Sequence, residues 1–561
     1  MRESGILLAI SSLPSEYGIG CFSREAYEFA DRLSEAGQSY WQILPLGPVG
    51  YGDSPYQSFS TFAGNPYYIS PETLVEKGWI TEADCREAGL SSDPRGVDYV
   101  LQYQRRYELL RKAYRNSRIE ENEKFRAFTE KTEWLPDYAL FMALKEENGG
   151  RPWYEWEDPL RLRDPEALAA ARERLEEGIG FCSFLQFEFY EEWMQLKDYV
   201  NRKGIRIIGD IPIYVSLDSS DVWADPELFQ LDENGVPTAV AGVPPDYFSA
   251  TGQLWGNPLY NWDAMKADKY RWWIDRIDAC LELVDYIRID HFRGFEAYWA
   301  VPFGAPTAEK GEWLPGPDHH FFEAVQRALL KKNSEYAKGL PIIAEDLGVI
   351  TPQVERLRDD FHLPGMKILQ FAFSAAEVRE VGFTDAFLPH RYTQNAVVYT
   401  GTHDNTTLRA WLDTLSRDDF EVLLFYLYGE RPVAELLDEL FSAEHTEARN
   451  STSEPTEHIA TRHGTADAAS PAADDGTALQ MSAFKDDLCA ELIKQAFFSV
   501  AVFAVIPFQD LYALGAEARM NEPSTLGKNW TWRMPRGLLT PECAEWLSDL
   551  VTASGRCGHN G

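Results

Sequence analysis

The chain contains no uninterrupted apolar run of about 18 residues, the length a helix needs to cross a bilayer, so nothing in it is expected to span a membrane. The one apolar run near the start, GILLAIS at residues 5–11, is too short for the core of a secretory signal and lacks a cleavage site; it reads as a strand. Cysteine is scarce. The seven cysteines (21, 85, 182, 280, 489, 543 and 557) are odd in number and scattered without a CxxC pair, which fits neither a disulfide framework nor a zinc site and points to a reducing cytoplasm. Basic residues are few: 53 Lys and Arg against 89 Asp and Glu, a net charge of -36. Such a surface repels phosphate backbones and anionic lipid, so neither nucleic acid nor membrane is an expected partner, whereas a neutral ligand is unaffected.

Aromatic residues are plentiful. Seventeen Trp and 27 Tyr supply flat faces suited to stacking on pyranose rings, although most aromatics in any chain fill its core. Strand-like runs occur at residues 6–11, 40–46, 205–213, 286–291, 341–346, 366–373, 396–402 and 502–507. Several are separated by helical periodicity, as in 23–36, where Phe22, Ala26, Phe29, Ala30 and Leu33 share one face, and in 272–284 and 321–330. Eight strand–helix alternations predict a (β/α)8 TIM barrel in a single catalytic domain, with a doubly wound open sheet as the rival. The uneven spacing places insertions at about 50–180 (mostly helical), 214–270 (loops at the barrel mouth), 296–335 and 414–480. Within the last, residues 445–478 hold no aromatic and one Ile and are expected to be disordered.

Three strand-like runs end in a carboxylate: Asp290 in YIRIDHFRG, Glu345 in LPIIAEDLG and Asp404 in VVYTGTHDN. A pair of such acids cleaves a glycosidic bond when one attacks the sugar and the other protonates the leaving oxygen. Strand alternation puts Arg288 on the face of Asp290, where its charge is expected to lower the carboxyl pKa and keep it ionised; a purely structural ion pair explains the same pattern. The apolar stretch Pro341–Ala344 is expected to raise the pKa of Glu345 and suit it to a general acid; the alternatives are that Glu345 caps the following turn or that Asp346 beside it is the functional acid. Asp404 is either a site residue or the cap of a helix beginning near Thr406. Arg288, His291 and His403 beside the acids favour a sugar over a magnesium ion.

Together these segments resemble the 4-α-glucanotransferases (amylomaltases) of glycoside hydrolase family 77. The match runs through Ser12-Leu13-Pro14, Trp41–Gly47, Asp53-Ser54-Pro55-Tyr56, Gly209–Val215, Gly242–Phe248, Gly252–Pro258, the three carboxylate motifs and Arg519–Asn521 with Asn529–Arg533. The resemblance implies that Asp290 is the nucleophile, Glu345 the acid/base and Asp404 the transition-state stabiliser. It further implies that Tyr56, Asp210, Tyr247, Phe248, Trp255, Arg288, His291, His403 and Asn521 bind substrate, and that neither cofactor nor metal is required. The implied partners are α-1,4-glucans, with glucose or a maltooligosaccharide as acceptor. An amylase-type hydrolase and a non-catalytic glucan-binding protein are the alternatives. Residues 445–478 depart from the family pattern.

Overall fold

The computed structural model describes residues 2–50, 52–245, 249–430, 437 and 475–556. Among the described residues twelve strands follow one another: β1 (Glu3–Leu7), β2 (Tyr40–Gln42), β3 (Arg206–Pro212), β4 (Ala239–Val243), β5 (Gln253–Pro258), β6 (Tyr286–Asp290), β7 (Ala297–Pro302), β8 (Glu312–Pro315), β9 (Ile342–Ala344), β10 (Gly365–Ile368), β11 (Ala396–Tyr399) and β12 (Phe503–Pro507). Eight of them pair in parallel in the order β10-β11-β12-β1-β2-β3-β6-β9. The two ends of that order meet, because the Ala344 N–H donates to the Pro364 carbonyl at 2.9 Å, just before β10. The sheet is therefore a TIM barrel, and the doubly wound alternative, whose edge strands stay apart, is excluded.

All eight predicted barrel strands are present and each is shorter than its apolar run; the first begins ahead of the predicted 6–11, at Glu3, and ends at Leu7, Ile10–Ser12 forming a 3-10 turn instead. The run at 40–46 yields a strand only to Gln42, yet Ile43 and Leu44 remain buried. Past the strand tip the Ile43 N–H still donates to the Ile208 carbonyl of β3 at 2.9 Å, and the side chains pack under the exit loop. The barrel helices follow the same logic. Helix Arg24–Glu35 buries Ala26, Phe29, Ala30 and Leu33 along one stripe, and Arg271–Leu283 and Asp318–Lys332 cover their strands likewise.

Helices also fill much of residues 71–202, the longest being Glu176–Arg202. The expectation of mouth loops over 214–270 needs correction. β4 and β5 from that region join β7 and β8 in an antiparallel sheet ordered β5-β4-β7-β8. Its strands are short and two of them, β4 and β5, contain a glycine, so their own propensity is weak; cross-strand pairs such as Val240 with Val301 and Trp299 with Trp313 determine the register. Helix Asp475–Phe498 takes in the last four positions of the stretch expected to be disordered; the rest of 445–478 lies outside the described residues. Among the described residues, no helix is long and apolar enough to cross a membrane.

Candidate active site

The C-terminal tips of β3, β6, β9 and β11 converge on one mouth. On β6, Arg288 and Asp290 share a face as alternation requires. Arg288 Nη2 donates to Asp290 Oδ1 at 3.0 Å, while Nη1 lies 2.8 Å from both carboxylate oxygens of Asp210 on the neighbouring strand β3. The register pairs Asp210 directly with Arg288. Burial opposes the charge on Arg288, but Asp210 and Asp290 outweigh it, so the guanidinium stays protonated. The Tyr56 hydroxyl donates to Asp210 Oδ2 at 2.9 Å; burial and the Asp210 charge push its pKa well up and hold the proton in place.

The expected depression of the Asp290 pKa is not the net result. Arg288 does pull it down, but burial, Asp210 and Asp404 push harder, and the carboxyl is raised above its ordinary value. Its side chain nevertheless remains 30 % exposed to the cleft, so the desolvation push is at its strongest once substrate replaces that water.

Just beyond Asp290 the chain turns at His291, whose φ of 55° is a left-handed conformation uncommon for a residue with a side chain. That turn aims the His291 N–H at Glu345 Oε2 (2.7 Å), and the Leu347 N–H holds Oε1 at 2.8 Å. Each oxygen keeps a lone pair free to carry a proton. Burial and the nearby Asp290 charge push Glu345 up to about 8 despite those two hydrogen bonds. Its neighbour Asp346 points away from the mouth, to Arg358 Nη1 (2.5 Å) and the Met366 N–H (2.7 Å), so of the two acids Glu345 is the one that faces it.

Asp404 is not the helix cap. Thr407 caps helix Leu408–Thr414 by accepting from the Ala410 N–H. The Asp404 carboxylate instead accepts from Asn521 Nδ2 at 2.6 Å, with His403 Nε2 3.4 Å from its other oxygen. The 519–521 loop clamps this turn through two backbone contacts, Asn521 N–H to His403 C=O (3.1 Å) and Arg519 Nη2 to Asp404 C=O (3.1 Å). His403 stacks on Tyr56, the ring centroids 5.1 Å apart.

The second sheet supplies the cleft's other wall. Trp255 on β5 sits edge-on to His291 at 4.7 Å, and burial with the Arg293 charge lowers His291 to about 3, leaving it neutral. Tyr247 and Phe248 lie outside the described residues. Every other residue expected at the site is brought to this mouth. Two neighbours escaped notice as site residues: Trp530, whose ring lies 5.7 Å from Tyr56 and 5.8 Å from His403, and Met366, whose Sδ is 3.4 Å from Arg288 Nε. The Asn529–Arg533 motif holds the first; no local signal marks the second. Among the described residues no group of three or more His, Cys, Asp or Glu is arranged to hold a metal.

Fold and site define a (β/α)8-barrel enzyme whose acidic, aromatic-walled cleft is built for a carbohydrate. The chain belongs to the family described as 4-alpha-glucanotransferase, glycoside hydrolase family 77, whose profile matches residues 8–540. It is 45% identical to the 4-alpha-glucanotransferase of Thermus thermophilus over 99% of both chains, and 41% identical to that of Clostridium butyricum over 98% of this chain and 99% of that one. Among solved structures it resembles the amylomaltase from Streptococcus agalactiae in complex with acarbose, with a TM-score of 0.83 and 37% identity over 99% of this chain and 100% of that one.

Proposed function

We propose that this protein transfers α-1,4-glucan segments from a donor maltodextrin to the 4-hydroxyl of an acceptor glucan or glucose, by a retaining double displacement. The observation that carries the mechanism is the contrast between two acids at one mouth. Asp290 is paired with Arg288 and open to the cleft, while Glu345 is buried and pushed up to about 8. Burial raises both acids; Glu345 is assigned the proton, and Asp290, with Arg288 beside it, the charge.

Asp290 attacks the anomeric carbon as Glu345 gives its proton to the departing glycosidic oxygen, leaving a covalent glycosyl-enzyme. Glu345, now ionised, takes the proton of the incoming 4-hydroxyl as that oxygen displaces Asp290, and the α-configuration is restored. Asp404, steadied by Asn521 and His403, faces the sugar ring as positive charge develops. The neutral His291 adds no charge near the anomeric centre, and the buried Tyr56–Asp210–Arg288 network holds Asp290 in place. Transfer outruns hydrolysis if the intermediate is shielded from water until an acceptor docks; the segment from Asp246 to Trp255, of which residues 246–248 lie outside the described residues, is assigned as that cover. The reading places the enzyme in the cytoplasm, consistent with six described cysteines that are all unpaired.

Incubation with maltotriose tests the proposal. Glucose together with oligomers longer than the substrate is the expected product set, and maltose with glucose alone would overturn transfer in favour of hydrolysis.

A further inference from the structure

Two neighbouring acids leave β9 in opposite directions, and only one of them reaches the mouth. Around the rest of the barrel, paired strands share registers of three to five residues. Between β9 and β10 the backbone link is the single Ala344-to-Pro364 hydrogen bond. The seam next to Glu345 is therefore the least braced part of the barrel wall.

Asp346 supplies the missing link. Its Oδ1 accepts from the Met366 N–H at 2.7 Å, and its Oδ2 takes Arg358 Nη1 at 2.5 Å. Arg358 belongs to helix Pro352–Asp360, so strand, seam and helix are tied at one carboxylate. Gly365 makes room: a Cβ there would lie 2.5 Å from Asp346 Oδ2 and 3.0 Å from Arg358 Nη1. The consequences run both ways from this point. On one side, Met366 brings its Sδ within 3.4 Å of Arg288 Nε, the guanidinium that holds Asp290. On the other, Asp346 is the middle residue of the turn whose Leu347 N–H holds Glu345 Oε1. A buried ion pair is a poor source of net stability, since desolvating both charges offsets most of their attraction; its use is in specifying geometry.

We propose that Asp346, clamped between Arg358 and the Met366 backbone, is a positioning residue: it closes the β9–β10 seam and so sets where the Glu345 carboxyl stands relative to the Arg288–Asp290 pair. The proposal rests on the reading of Glu345 as the acid/base.

Two substitutions loosen the clamp differently. Asp346→Asn keeps an acceptor for Met366 but loses the attraction to Arg358. Gly365→Ala leaves both charges and displaces the carboxylate by steric contact. A misplacement of about 1 Å at a reacting group costs about 100-fold, so each variant is expected to lower kcat on maltotriose roughly 10- to 100-fold with little change in KM. The first step with an α-maltosyl fluoride donor, whose leaving group needs little proton help, is expected to fall by much less. Thermal unfolding of each variant identifies those that are folded, and if Asp346→Asn does not fold, Gly365→Ala carries the test. Folded variants that lose equally on both donors, or that keep wild-type rates, would overturn the positioning role. Glu345→Gln, run in parallel, separates the two readings. If it shows no difference between donors, the acid assignment itself fails; if it does and the clamp variants do not, only the positioning proposal fails.

Discussion

Arg288 serves two acids with one guanidinium, and the consequences of that sharing are sharpest residue by residue. Replacing Asp290 by Asn leaves the Arg288–Asp210 pair intact, so the fold is expected to survive while turnover drops by several orders of magnitude for want of a nucleophile. Trapping with a fluorinated glucosyl donor and mapping the labelled peptide checks the assignment; label on any other carboxylate contradicts it. Glu345 yields a second prediction through its proton. Its folded pKa, about 8, lies above that of an exposed Glu, so the folded state binds the extra proton. The stability tied to that proton is complete below the unfolded pKa and is lost as pH rises through about 8. Gln carries no such liability. Glu345→Gln is therefore expected to gain in melting temperature relative to wild type as pH goes from 5 to 8, and a difference that does not change with pH would show that Glu345 is ionised throughout. The Arg288–Asp290 neighbourhood is legible in YIRID because strand side chains alternate. Asp210 on the same guanidinium is not, because nothing local brings β3 beside β6.

At the scale of elements, the barrel strands announce themselves as apolar runs that must be buried on both faces. The second sheet does not. Its strands run to six residues at most and two of them contain a glycine, Gly242 and Gly256, and its two local pairs, β4–β5 and β7–β8, are joined only across β4 and β7, which are far apart in the chain. Gly242 is the position where this sheet is most exposed to change. A Cβ there would meet the Gln253 carbonyl oxygen at 2.6 Å, forcing β5 away from β4. Overpacking of this kind costs about 1–3 kcal/mol. Because β5 carries Trp255 against His291, Gly242→Ala is expected to loosen the cleft wall and raise the share of intermediate lost to water. The ratio of reducing ends formed to longer oligomers formed from maltotriose measures this; an unchanged ratio in a destabilised variant would detach the sheet from water exclusion.

For the whole molecule, the two ends of the chain are joined under the barrel by one buried side chain. Arg556 donates through Nε to the Phe497 carbonyl (2.6 Å), through Nη1 to that of Glu3 (2.9 Å), and through Nη2 to that of Ser499 (3.1 Å). It thereby links the start of β1, the end of helix Asp475–Phe498 and the approach to β12. Truncating it removes charged donors from buried carbonyls, although that of Ser499 keeps Arg2 Nη1 at 2.6 Å, so Arg556→Ala is expected to cost on the order of 3 kcal/mol. Urea unfolding reads the loss, and a shift under about 1 kcal/mol, the range of ordinary surface substitutions, would mean that water replaces the guanidinium freely.

What this sequence determined by itself is whatever depends on nearest neighbours along the chain. Periodicity marks the eight strands and their covering helices, the carboxylates sit where apolar runs give way to polar turns, and the family's motifs stand in order. What only the tertiary structure decided is what depends on partners distant in sequence. Asp346 and Asp404 look like acid and cap until Met366, Arg358, Thr407 and Asn521 are in place. The net direction of the Asp290 pKa turns on burial and on two acids from elsewhere in the barrel, Asp210 on β3 and Asp404 in the turn after β11. Electrostatics and sheet register are sums over neighbours in space, and spacing along the chain does not reveal who those neighbours are.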